Sequence, residues 1–440
     1  MELIGILLSL SFLVLMSFKR VNIVVGTIVS SFIVIFTNKM DIEIAFFGET
    51  NSYIAGIKEF VGNYIILFLL SSILSSYFLE SGASECIAEK IISKIGVKNR
   101  FSMLIVLYSI SALLTYAGIN IFVVFFILIP MSFQLFKKVN IPWEMVTLPI
   151  FLGGATFTMT MLPGSPSIQN NIPIKYLGTS VFSAPGIGLI SSIVCVLFSI
   201  FFMSRELKKQ KNNNYVYPKV FEKSNNQLKK ISLFASIIPV IILFSTISLF
   251  GIFSDVNGVY PAMVLSIIYF MIVHRDMDAL NRGVMNAFAP LIYTASSMGF
   301  GNVIAESDIF KNFFQLLSNN SNSIVSLNLI SIFFGGMTAS SSSSIAIIME
   351  NFSSYYLDSG IPKEVIHRIG VMSSAVLANM PYCGIVSAVF KMSEIDYKRG
   401  FRYVFLGFTI AHIFSLIIAN ILVYFFIEVK KICLVSSNIC

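Results

Sequence analysis

Runs of about twenty apolar residues, the length that crosses a bilayer core as one helix, recur from one end of this chain to the other. Uninterrupted ones occupy 1–18, 20–38, 62–79, 181–204, 232–253, 257–273 and 401–427. Others are interrupted by Gly, Ser, Thr or Pro. A soluble domain could not cover so much apolar surface. Only 12% of the 440 residues are charged and 56% are apolar, where soluble domains carry about 25% charged residues. The mean hydropathy is +0.84. The expected fold is an all-α polytopic membrane protein with about ten or eleven spanning helices plus re-entrant pieces. The run at 1–18 has no basic residue ahead of it and no small-residue cleavage site, so it reads as a first transmembrane helix rather than a signal peptide. The five cysteines show no paired spacing. Cys86, Cys195 and Cys383 read as small hydrophobes, with no metal, cofactor or disulfide implied.

The +8 net charge is explained by topology, not by nucleic acid, because Lys and Arg concentrate in cytoplasmic loops. Lys19 and Arg20 close the first helix, which puts the N-terminus outside. The loop 39–59, with Asp41, Glu43, Glu49 and Glu59 against Lys39 and Lys58, suits the outside. The segment 86–100 (Lys90, Lys94, Lys98, Arg100), the pair Lys137-Lys138 and the group Lys391, Lys398, Arg399 and Arg402 suit the inside. The polar stretch 205–231 sets eight basic residues against Glu206 and Glu222. It is read as a cytoplasmic linker between two halves, with both termini outside.

The halves carry a weak internal repeat. Ile141-Pro142-x-Glu144 returns as Ile361-Pro362-x-Glu364, Ser75-Ser76 and Glu85 return as Ser296-Ser297 and Glu306, and Pro163 returns as Pro381. Charge parity makes the two copies opposite in orientation. Inverted repeats are a plan of secondary transporters, whose sites lie near the midplane at discontinuous helices.

Two stretches break helices at matching places. The first is 153–166, ending in Pro163-Gly164-Ser165-Pro166. The second is 373–384, with Asn379, Pro381 and Gly384. Proline removes a backbone donor and glycine adds freedom, and such breaks persist at membrane depth only inside protein or along a watery cavity. The half-helix that follows each break presents a partly positive N-terminus, which attracts anions. Ahead of each break lies an expected re-entrant hairpin. One turns near Gly118–Asn120, and the other turns within Gly335–Ser344, where Ser340, Ser341, Ser342, Ser343 and Ser344 are consecutive. Small residues also let membrane helices pack closely, but five serines at a hairpin tip favour binding. Glu350 is a candidate intramembrane carboxylate. His367, Arg368 and Glu364 are expected near an outer interface, His412 in helix packing, and Lys175 either attracting an anion or reaching to the interface.

At these residues the chain resembles the gluconate permease family of the ion-transporter superfamily. LTYAGINIFVV (114–124), TFTMTMLPGSPSIQNNIP (156–173), KYLGT (175–179) and SAPGIG (183–188) carry the likeness, with HRI (367–369) and MPYCG (380–384) in the second half. Tyr382 stands where the family has His, and Ala378 where it has an acidic residue. These departures bear on the substrate and on the coupling ion. The resemblance implies proton-coupled uptake of gluconate, related sugar acids or small hydroxy acids. It also implies a homodimer in which a scaffold holds the interface and a transport domain with both hairpins moves like an elevator. Its implied substrate-binding residues are Asn120, Thr156, Thr158, Thr160, Gly164, Ser165, Gln169, Asn170, Ser340–Ser344, Asn379 and Gly384.

The reading is therefore a multi-pass carrier of the plasma membrane, in contact with lipid. Residues 1–61, 181–204, 232–283 and 400–440 serve as scaffold, 62–180 and 284–399 as the two repeats of the transport domain, and 205–231 as linker. The substrate is a small organic anion, coupled to protons, or in the alternative to sodium. No clustered metal ligands and no phosphate-cradling loop suggest an enzyme. A membrane-embedded enzyme on lipid-linked substrates remains the rival class, to be recognised by ionisable residues converging at one interface.

Overall fold

The computed structural model of the protein describes residues 2–19, 21–83, 86–87, 90, 93, 99–119, 121–210, 215, 217, 231–253, 258–312, 315, 323–395 and 397–437. Arg20, Glu85, Lys94, Lys98, Asn120 and most of the 205–231 linker lie outside the described residues. Every regular element among the described residues is helical.

The helices run in two series. The first is α1 (Glu2–Phe18), α2 (Ile23–Thr37), a short α3 (Ile42–Phe47), α4 (Tyr53–Glu80), α5 (Arg100–Tyr116), α6 (Ile121–Val139), α7 (Thr147–Gly154), α8 (Phe157–Thr160), α9 (Ile168–Leu177) and α10 (Pro185–Lys208). The second is α11 (Leu233–Phe253), α12 (Val259–His274), α13 (Met277–Glu306), α14 (Ser323–Thr338), α15 (Ser341–Asp358), α16 (Lys363–Ala375), α17 (Gly384–Ser393) and α18 (Tyr397–Ser437). Local chemistry fixes several starts. Asn99 and Ser102 form a reciprocal capping box at α5, Asp276 caps α13, and the Ser340 side chain accepts from the Ser343 amide at α15, each satisfying amides the helix leaves open.

The packing recurs with the order. α1 packs on α2 as α11 packs on α12, α5 on α7 as α14 on α16, α9 on α15 as α17 on α6, and α2 on α13 as α12 on α4. Two further pairs join equivalent helices, α4 with α13 and α10 with α18. Exchanging the two series thus maps much of the contact pattern onto itself. The α4–α13 crossing is the most extensive helix pair among the described residues and depends on glycine. A Cβ on Gly299 would stand 2.5 Å from the Tyr53 carbonyl oxygen, and one on Gly56 would stand 2.9 Å from Gly299 Cα.

By length and composition, three described helices can cross a membrane unaided: Tyr53–Phe78, Pro185–Lys208 and Lys398–Phe425. Six shorter apolar helices of 10–17 residues accompany them. Among the described residues, this set of apolar helices is compatible with a polytopic membrane protein. Outward apolar stripes follow helical spacing, as at Leu189, Ile193, Leu197 and Phe201 on α10 and at Ile413, Ile417 and Ile421 on α18. Such faces suit lipid. The runs read as 62–79 and 284–302 are parts of longer helices, so the boundaries drawn at 62 and 284 fall inside α4 and α13. The first turns of those helices hold Lys58 and Glu59, and Asp278 and Arg282. Apolar-run length discards such turns although they are helical.

Candidate functional site

Both interrupted segments stop being helical at their small and proline residues. α5 ends at Tyr116, and Gly118 makes the following turn at φ +88°, a conformation that glycine adopts without strain. α14 ends at Thr338, Ala339 takes φ +46°, and α15 starts at Ser341. Gly335 and Gly336 remain helical, so the second turn is confined to Ala339 and Ser340. The first break has two parts, at 155–156 and at 161–167, separated by the single turn of α8. The second spans 376–383, from the end of α16 to the start of α17.

These turns and breaks surround one cavity of about 120 Å³. Ala155, Met159, Ile168 and Gln169 come from the first break, Ile121 from the first turn, Thr338 to Ser342 from the second turn, and Ala378, Asn379, Cys383 and Ile385 from the second break. Phe68 of α4, Tyr293, Thr294 and Ser297 of α13 and Phe408 of α18 close it. No lining residue carries a formal charge. Four helices of ten residues or more nevertheless begin at the wall: α6 at Ile121, α9 at Ile168, α15 at Ser341 and α17 at Gly384, beside Cys383 and Ile385. The first amides of a helix lack internal partners and carry partial positive charge. Four such ends make an anion-attracting surface without a lysine or arginine.

Of the residues singled out above, Gln169, Ser340, Ser341, Ser342 and Asn379 line the cavity, and Gly384 opens the helix beside it. Gln169 Nε2 donates to Ser341 Oγ at 3.0 Å, joining the first break to the second turn. Gln169 Oε1 and Asn379 Nδ2 are buried and have no protein partner. The others stand behind the wall. Thr156, Thr158 and Thr160 donate to carbonyls of Leu152, of Gly153 and Gly154, and of Thr156, and Thr158 also accepts from Thr115 at 3.0 Å. Ser343 donates to the Thr294 carbonyl and Ser344 to that of Ser331. Gly164 turns at φ +80°, Ser165 is fully buried, and Asn170 donates to the carbonyls of Ser165 and Val181. These groups hold the break in shape. Tyr382 does the same for the second break by donating its hydroxyl to the Gly336 carbonyl, while Ala378 faces the cavity.

His367 and Arg368 are fully buried within the protein, whereas Glu364, one turn earlier, is exposed. Arg368 Nε donates to the Ser183 carbonyl, Nη1 to the Thr160 carbonyl and to Asn170 Oδ1, and Nη2 to the carbonyls of Val181 and Ser183, at 2.9–3.2 Å. Among the described residues it has no carboxylate within ion-pair distance. His367 pairs with Thr179 at 2.7 Å and Asn170 at 3.3 Å. Together they tie α16 of the second series to the broken segment of the first. His412 packs on Phe408 and contacts the Phe408 carbonyl and Thr160. Lys175 and Glu350 meet elsewhere, in a polar cavity of about 530 Å³ shared with Glu49, Lys58, Glu59 and Asn63. There Lys175 donates to Asn63 Oδ1 at 2.9 Å. The α13 lining was missed from sequence, although Ser296-Ser297 stood out as a repeat marker.

The chain matches the GntP family permease family over residues 1–349. It is also similar to the uncharacterized transporter YxjC of Bacillus subtilis (strain 168), at 25% identity over 455 residues, covering 92% of this chain and 95% of that one.

Proposed function

The chain belongs to the GntP permease family and is a membrane transporter, and from that premise we propose that it is a secondary carrier of a small organic anion bound in the 120 Å³ cavity. The observation that carries this reading is the meeting of four helix N-termini at a wall with no charged side chain. A carboxylate is stabilised there by backbone amides, and the substrate's hydroxyl by Gln169 and the serines. The recurrent helix order and exchangeable contacts support inverted repeats. On that plan the two hairpins and breaks move together against a scaffold that contains α10 and α18, as an elevator, in a homodimer of the plasma membrane.

The resemblance to the gluconate permeases favours proton symport. Sodium is a second reading, favoured by one observation: no carboxylate or histidine lines the cavity to accept a proton, whereas the unwound carbonyls of the breaks suit a hard cation. Uptake of a labelled hydroxy acid into proteoliposomes tests both. Accumulation should follow an inward proton gradient, and the matching uncharged polyol should not compete. Uptake that follows sodium and ignores pH overturns proton coupling. Equal competition by the polyol overturns the anion site.

A further inference from the structure

Two buried polar atoms at the cavity have no protein partner and ask for different ones. Asn379 is 5% exposed and offers Nδ2 as a donor without an acceptor. Gln169 offers Oε1 as an acceptor without a donor, its Nε2 being held by Ser341. A carboxylate only accepts. It therefore suits Asn379 and the neighbouring helix amides and is repelled by Gln169 Oε1, which calls for a hydroxyl. The lining also holds the apolar side chains of Phe68, Ile121, Met159, Ile385 and Phe408, next to hydroxyls of α13 and of the second turn. A ligand hydroxyl turned toward the apolar side chains finds no partner, which weakens binding about five- to a hundredfold. Size gives an independent limit. An apolar cavity of about 150 Å³ holds one benzene-sized molecule, and this one measures about 120 Å³. A six-carbon sugar acid has roughly twice as many non-hydrogen atoms as benzene.

We propose that the cavity selects a short monocarboxylate, about three to five carbons long, bearing one hydroxyl and an alkyl end, over six-carbon polyhydroxy acids. The proposal rests on the reading of the cavity as an organic-anion site. Asn379 takes the carboxylate, Gln169 takes the hydroxyl, and Met159 with Phe408 covers the alkyl end. Met159 also sets the length limit. Together with Ile168 it lines a second cavity of about 30 Å³ beside Gly118 and Thr115, so its side chain divides the two spaces.

The test is thermal unfolding of the purified full chain, titrated with the 2- and 3-isomers of hydroxybutyrate, butyrate, gluconate and 1,3-butanediol. At least one hydroxybutyrate should stabilise at the lowest concentration. Butyrate should need about five- to a hundredfold more, and gluconate should be weaker still. Gln169→Leu should abolish the preference for hydroxybutyrate over butyrate, and Met159→Ala should bring gluconate closer to hydroxybutyrate. The wild-type series stands alone if either variant fails to fold. Gluconate binding as tightly as both hydroxybutyrates, or butyrate equalling them, overturns the selectivity and leaves the anion site intact. Butanediol equalling the acids, or no acid stabilising the protein, overturns the anion site and the selectivity with it.

Discussion

Arg368 is a buried guanidinium paired with no carboxylate among the described residues, and it is tolerated because all of its donor groups meet carbonyl or amide oxygens. Lysine at this position keeps the charge but cannot reach the same acceptors. Each oxygen left buried and unpaired costs about 1–3 kcal/mol. Arg368→Lys should therefore lower stability by roughly 3 kcal/mol or more, read as an earlier thermal unfolding transition, with uptake falling alongside. A transition at the wild-type temperature would show that the acceptors find other donors. This residue was not legible in the sequence, and the reason is physical. Its partners lie 185 to 208 residues earlier in the chain and most are backbone carbonyls, which carry no sequence signature. Beside Lys363 and Glu364, nothing in the sequence marks it as buried among carbonyls. The threonines are a different case. Their polarity marked the break correctly, but hydroxyls in a helical turn are easily taken by carbonyls one turn back, and Thr156, Thr158 and Thr160 spend theirs that way.

At the scale of elements, the turns and breaks were legible because Gly118, the Pro163–Pro166 stretch and Pro381 leave the backbone few alternatives. Which helices press together was not, since close approach leaves only an isolated glycine in the sequence. Gly153 of α7 and Gly335 of α14 sit at the two equivalent crossings, α5–α7 and α14–α16, on opposite members of each pair. A Cβ on either would stand 2.2 Å from the Tyr108 carbonyl oxygen or 2.3 Å from that of Ser374. Backbone cannot rotate away as a side chain can, so Gly153→Ala and Gly335→Ala should each destabilise by about 1–3 kcal/mol. Gly186 in α10 meets nothing within 4 Å, and Gly186→Ala should be neutral or stabilising by up to about 1 kcal/mol. Thermal unfolding of the three variants checks the contrast. A Gly153→Ala protein as stable as Gly186→Ala would mean that α5 and α7 sit farther apart.

For the whole molecule, charge patterning gives an orientation that can be tested directly. In intact cells, a membrane-impermeant thiol reagent should label a cysteine placed at Asn51 and miss one placed at Asn213. The reverse pattern would invert the topology and exchange the entry sides of both hairpins. On the proposed elevator, the body that carries the substrate also carries Arg368, fixed to Asn170 beside the cavity residue Gln169. A monoanion that enters with one proton or one sodium ion adds no net charge to that cation. Membrane voltage, worth about 2.3 kcal/mol per elementary charge at 100 mV, then acts on the loaded and the vacant strokes alike.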